Sequence, residues 1–154
     1  VDALACLMLT EQLDESGLIE DDPTDIAPPV SLTQKDIRMV QLAKSAIHAG
    51  LCTLVENVKL DWDDIAGLSI AGGFGSYLNL ESAARIGLLV PELLDRTIVI
   101  GNAALGGASM LLLDKGLRAE SEKLARSSET VDLSSNPVFT NYYTEGMLFC
   151  DEME

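Results

Sequence analysis

GLSIAGGFGSYLNLESAAR, residues 67–85, is the stretch that decides how this chain folds. Residues 67–71 form a short apolar run that predicts a buried strand. Gly72-Gly73-Phe74-Gly75 follows, and Asn79 then stands where a helix through Arg85 needs an N-cap. Glycine removes side chains where a chain must turn sharply, and it also lets a flat or anionic ligand approach the backbone. A helix N-terminus beyond it adds free N–H groups and a positive dipole end. Both readings of the loop stay open: a tight strand-to-helix turn, or a ligand cradle. It is neither a GK[ST] phosphate loop nor the GxGxxG dinucleotide fingerprint.

On the N-terminal side, residues 34–58 predict one long helix, with Thr33 as N-cap and Asp36 as its capping-box partner. With Ile37 at zero on a helical wheel, Val40, Ile47, Leu51, Leu54, Val55 and Val58 fall between about 0° and about −100°. Lys44 falls inside that apolar stripe, and His48 and Gln41 lie at its edge. A lysine there needs water, an anion or a cleft for its head. A snorkelling lysine and an internally satisfied histidine are the plainer alternatives. Further upstream, 2–14 predicts a short helix and 15–30 an acidic, proline-containing loop.

On the C-terminal side, 97–100 (TIVI) predicts a second buried strand. Gly101-Asn102 then opens a small-residue helix, AALGGASMLLL. Small residues there suit either tight helix packing or a hinge. A helix at 117–127, a third strand at 130–133 (TVDL) and a last helix from Asn136-Pro137 complete the pattern. Strands alternating with helices define an α/β fold, expected as three layers with the 34–58 helix along the sheet.

The 154 residues suit one domain, and 47% hydrophobic content suffices for a core. With 25 acidic against 10 basic residues the formal charge is −15, which argues against nucleic-acid binding and docking on anionic membranes. No apolar run is long enough to span a bilayer. Cys6, Cys52 and Cys150 are far apart and form no CxxC pair. They predict small buried hydrophobes, a reducing, cytoplasmic setting and no metal or iron–sulfur site within the chain. No nucleophile elbow or histidine cage is present.

Three ordered stretches carry a family resemblance: TQKDIRMVQLAKSAI (33–47), AGGFGSYLNLESAARIGLL (71–89) and GNAALGGASMLL (101–112). Together with the opening VDALACLMLTEQLDESGLIE and NPVFTNYYTEGMLF (136–149), they resemble the C-terminal domain of the reductive activators of corrinoid-dependent proteins. That family belongs to the superfamily of acetate and sugar kinases, heat-shock chaperones and actin, whose members bind ATP between two ribonuclease-H-like halves. The resemblance implies a ribonuclease-H-like, actin-like ATPase subdomain with a short mixed sheet between helices. It implies ATP or ADP as ligand, with Mg²⁺ in the intact protein. Gly72, Gly73, Phe74 and Gly75 are then expected on the adenosine side, and Gln41, Lys44 and Ser45 are expected to face the adenine or ribose. It further implies an upstream [2Fe–2S] ferredoxin-like domain in a longer parent and a corrinoid protein as partner.

The starting valine fits a chain cut from such a parent. Residues 1–30 would continue from its upstream half, 31–150 would be the nucleotide-binding subdomain and 151–154 an acidic tail. The cysteine cluster and the acidic DxGT-type phosphate loop of that family are not in this sequence, and Leu105 and Gly107 depart slightly from its third stretch. The chain alone is therefore expected to be inactive in cobalt reduction and ATP hydrolysis. The competing expectation is a nucleotide-independent interaction module that docks a corrinoid protein or forms a homodimer. Half of another actin-like kinase is a third, though no sugar or acid pocket is visible.

Overall fold

The computed structural model describes residues 1–150, so the acidic 151–154 tail lies outside the described residues. Six helices and four short strands follow in the order α1 (Asp2–Leu9), β1 (Thr24–Ala27), β2 (Val30–Leu32), α2 (Gln34–Asn57), β3 (Leu68–Ala71), α3 (Leu80–Arg85), β4 (Thr97–Gly101), α4 (Ala103–Leu113), α5 (Leu117–Ser127) and α6 (Pro137–Glu145). The fold is mixed α/β, as expected, with small sheets set among helices.

The helix starts are set by local chemistry. At α2 the Thr33 hydroxyl accepts from the Asp36 amide while the Asp36 carboxylate accepts from the Thr33 backbone N–H, a complete capping box. At α3 the Asn79 side chain accepts from Ser82 N, and at α4 the Asn102 side chain accepts from Leu105 N. Asn136 does the same for α6, with Pro137 at the first helical position.

Three expectations are corrected. The 130–133 segment is not a strand: the Asp132 carboxylate accepts from the Ser134 backbone N–H and from the Ser134 and Ser135 hydroxyls, which sets a local turn instead. The arrangement is also not a three-layer sandwich, because β1–β2 is an antiparallel hairpin and β3–β4 a separate parallel pair. α2 packs chiefly against α6 rather than along a sheet. The hairpin lies in the stretch expected to be loop: Thr24 pairs with Leu32 and Asp25 with Ser31, and the chain reverses at Pro28-Pro29. With only four and three residues and little alternation, neither strand announces itself in sequence.

The main core gathers Leu4, Leu7, Leu13 and Ile19 from the N-terminal segment, Ile37 from α2, Ala83 and Ala84 from α3, Ile86, Leu88 and Leu89 after it, and Phe149. The C-terminal segment is therefore part of the core, not an appendage.

Candidate functional site

The buried face of α2 is not the apolar stripe. It holds Ile37, Gln41, Lys44, Ser45, Ala49, Cys52 and Thr53, while Ile47, Leu54 and Val58 are exposed. The helix is rotated so that its flank of polar and small residues faces α6. Small residues let the two helices approach, and the polar ones find partners in the segment that ends α6.

Those partners are backbone carbonyls. Lys44, 2% exposed, donates from Nζ to the carbonyls of Gly146 at 2.8 Å and Leu148 at 2.5 Å. The same ammonium lies 4.6 Å from the centroid of the Phe149 ring. Gln41 donates from Nε2 to the carbonyls of Met147 at 2.7 Å and Ser16 at 3.0 Å. Its Oε1 accepts from Arg38 at 2.6 Å. Ser45 donates to the carbonyl of Tyr143. The three α2 residues expected at a ligand thus come together as a clamp on 143–148. Carbonyls at a helix end carry negative partial charge, so a buried cation is well placed there. Gly17 completes the clamp: its φ is +81°, and any side chain there would run into the Gln41 amide.

The Gly72–Gly75 loop is placed elsewhere, at the carboxyl ends of β3 and β4. Gly72 N donates to Gly101 O at 2.7 Å, so the loop adjoins Gly101-Asn102 and the start of α4, an adjacency the sequence does not reveal. Two of these glycines have a structural reason. Gly72 has a φ of +102°, and a Cβ on Gly75 would stand 2.5 Å from Ile70 Cγ2. Gly73 has neither constraint, since a Cβ there would meet nothing within 4 Å. Phe74 is strongly exposed. The cavity beside Lys44, about 340 Å³, is bordered by His48, Gly87, Leu89, Glu145 and Leu148, without a residue of the glycine loop.

A larger cleft, about 540 Å³, continues along α2 past His48. His48, Cys52 and Glu56, at successive four-residue intervals, line it together with Trp62, Pro91, Glu92 and Tyr142. The Tyr142 hydroxyl donates to Glu56 Oε2 at 3.0 Å, and this carboxylate raises the phenol pKa above its ordinary value. In the sequence only the four-residue spacing of His48, Cys52 and Glu56 points to this cleft.

The small-residue helix α4 does not pack tightly on anything described. A Cβ on Gly106 or Gly107 would meet no described atom within 4 Å. No residue of α4 is buried, and Leu112 and Leu113 are 84% and 89% exposed. Tight packing among the described residues is therefore not why α4 carries small residues. Ile98, Val99 and Ile100 of β4, expected to be buried, are exposed as well.

Short sheets set among helices, with a glycine loop at the carboxyl ends of a parallel pair, make this a mixed α/β domain. The family described as the C-terminal domain of RACo, the ASKHA domain, matches residues 5–154, and the chain belongs to that family. It is 37% identical over 125 residues to a corrinoid activation enzyme, RamQ, of Eubacterium limosum, covering 80% of this chain and 21% of that protein. It is 26% identical over 137 residues to the [Co(II) methylated amine-specific corrinoid protein] reductase of Methanosarcina barkeri, covering 84% of this chain and 25% of that one. The solved structure of a reductive activator for corrinoid, iron-sulfur protein superposes with a TM-score of 0.84 at 30% identity over 96% of this chain and 27% of that chain. The chain thus spans about a quarter of these relatives. No helix among the described residues is long and apolar enough to cross a membrane.

Proposed function

We propose that this chain is the C-terminal, adenine-nucleotide-binding part of an ATP-dependent reductive activator that restores Co(I) in a corrinoid protein. The observation that carries the reading is the Gly72–Gly75 loop at the carboxyl ends of two parallel strands, beside the N-terminus of α4. In open α/β sheets, ligands bind beyond the carboxyl ends of the strands. Gly73 supports it further: neither backbone conformation nor packing among the described residues asks for glycine there, whereas a close-lying base or ribose does.

In the proposal, Gly72, Gly73, Phe74 and Gly75 form one wall of the adenosine cleft. Gln41, Lys44 and Ser45 touch the nucleotide only if the 143–148 segment yields its hydrogen bonds. Otherwise they serve only to hold the 143–148 segment. In this reading ATP use drives the otherwise uphill reduction of Co(II) to Co(I), and the electron comes from a [2Fe–2S] domain upstream in the longer protein. No group of three or more possible metal-ligating side chains occurs among the described residues, so no residue here is assigned to the Mg²⁺ that accompanies ATP. The exposed apolar residues of β4 and α4 favour a setting in which further protein covers them. A reducing, cytoplasmic location is part of the same reading.

The test is calorimetric titration of the full-length protein with ATP and ADP. The wild type binds, and Gly73→Val, still folded, loses binding by steric overlap. Unchanged binding by Gly73→Val would refute the loop assignment. A second reading, a nucleotide-independent module that docks a corrinoid protein or a second copy, is favoured by the full commitment of Gln41, Lys44 and Ser45 to the clamp. Absence of nucleotide binding by the wild type, with the corrinoid protein still bound, would select it.

A further inference from the structure

We propose that the cleft lined by Trp62, Tyr142 and Pro91 is a second binding site, distinct from the glycine-loop side, and that it takes an arginine side chain presented by a partner protein. Its position is the first argument. The turn at Trp62–Asp64 leads into β3, and the turn at Pro91–Arg96 leads into β4. The cleft therefore lies at the amino ends of these parallel strands, opposite the end that carries Gly72–Gly75.

Its chemistry is the second. Glu56, Asp61 and Glu92 border an aromatic wall, against one lysine, Lys59, and His48. In a chain of formal charge −15 this favours a cationic guest. A planar guanidinium can stack flat on Trp62 or Tyr142 and keep its N–H donors in its own plane for a carboxylate, whereas an ammonium has no flat face to stack. A volume of about 540 Å³ accommodates such a side chain with part of its backbone.

Rigidity is the third. Arg96 donates to the carbonyls of Ile65 at 2.6 Å, Trp62 at 3.3 Å and Glu92 at 3.0 Å, which ties the two turns together. Tyr142 is held to Glu56. The walls are set before any guest arrives, so little ordering cost opposes binding.

Trp62 is the single tryptophan of the chain, so its fluorescence and its one indole N–H resonance report directly on the cleft. The probe is a short peptide with one central arginine, titrated beside the same peptide carrying citrulline, which keeps the shape and removes the charge. The arginine peptide is expected to shift both Trp62 signals saturably. Citrulline is expected to bind roughly tenfold to a hundredfold more weakly, the equivalent of one charge-assisted contact. Glu92→Lys, an exposed side chain on a turn held through its backbone, is expected to abolish the preference while the far-UV circular dichroism spectrum stays that of the wild type. Equal binding of the two peptides, or a preference that survives Glu92→Lys, overturns the proposal. So does ATP that shifts Trp62 and competes with the peptide, because the cleft would then belong to the nucleotide site.

Discussion

Lys44→Met isolates the clamp between α2 and the C-terminal segment. Methionine keeps the length and most of the volume, so the substitution removes a charge rather than opening a cavity. Lys44 donates to the carbonyls of Gly146 and Leu148 and lies 4.6 Å from the Phe149 ring centroid. A hydrogen bond to a charged group contributes about 1.5–3 kcal/mol, and a partly desolvated cation–π contact about 1 kcal/mol. Against this stands the cost of holding an ammonium out of water, which methionine removes. The expected net loss is about 2–3 kcal/mol. Urea denaturation measures it, and hydrogen exchange should show the amides of 146–149 opening first. A loss below about 0.5 kcal/mol with unchanged exchange would refute the clamp, since surface changes without a structural role fall in that range.

The other glycines and caps give sharper contrasts. Gly75→Ala is expected to destabilise by about 1–3 kcal/mol in thermal unfolding, because its Cβ would overlap Ile70, whereas Gly73→Ala is expected to leave stability nearly unchanged. Asp36 has a carboxyl pKa below its ordinary 3.8, first through the Thr33 hydroxyl and then through the Thr33 backbone N–H. Its contribution to stability is therefore present above that ordinary value and is lost as pH falls through the lowered one. Thr33→Ala should move the Asp36 titration, followed by NMR, back up toward 3.8. The chain by itself is expected to show negligible ATP turnover in a phosphate-release assay, because it lacks a phosphate loop to position the transferred group. Activity equal to that of a full-length activator would contradict this.

Elements with strong local signals were legible in sequence. The capping box at Thr33 and Asp36, the caps at Asn79, Asn102 and Asn136, and the β-branched run at 97–100 each bring their own hydrogen bonds or propensity. The β1–β2 hairpin was not legible, because its strands are too short for alternation to show. The helical wheel marked Lys44 as a cation that needs a partner, but it placed the core on the wrong flank of α2. A wheel weighs hydrophobicity, whereas the packing of α2 on α6 selected the small and polar flank that permits close approach.

What sequence by itself determined is the order and ends of most helices, the strand–glycine–helix unit and the family resemblance, because these depend on residues adjacent in the chain. Tertiary structure alone decided that Lys44, Gln41 and Ser45 hold carbonyls about a hundred residues away, that Gly72 meets Gly101, and that Trp62 and Tyr142 wall one cleft. Such partners are backbone groups or distant side chains. Every residue offers the same carbonyl, so no sequence pattern can name the one that a buried ammonium will find.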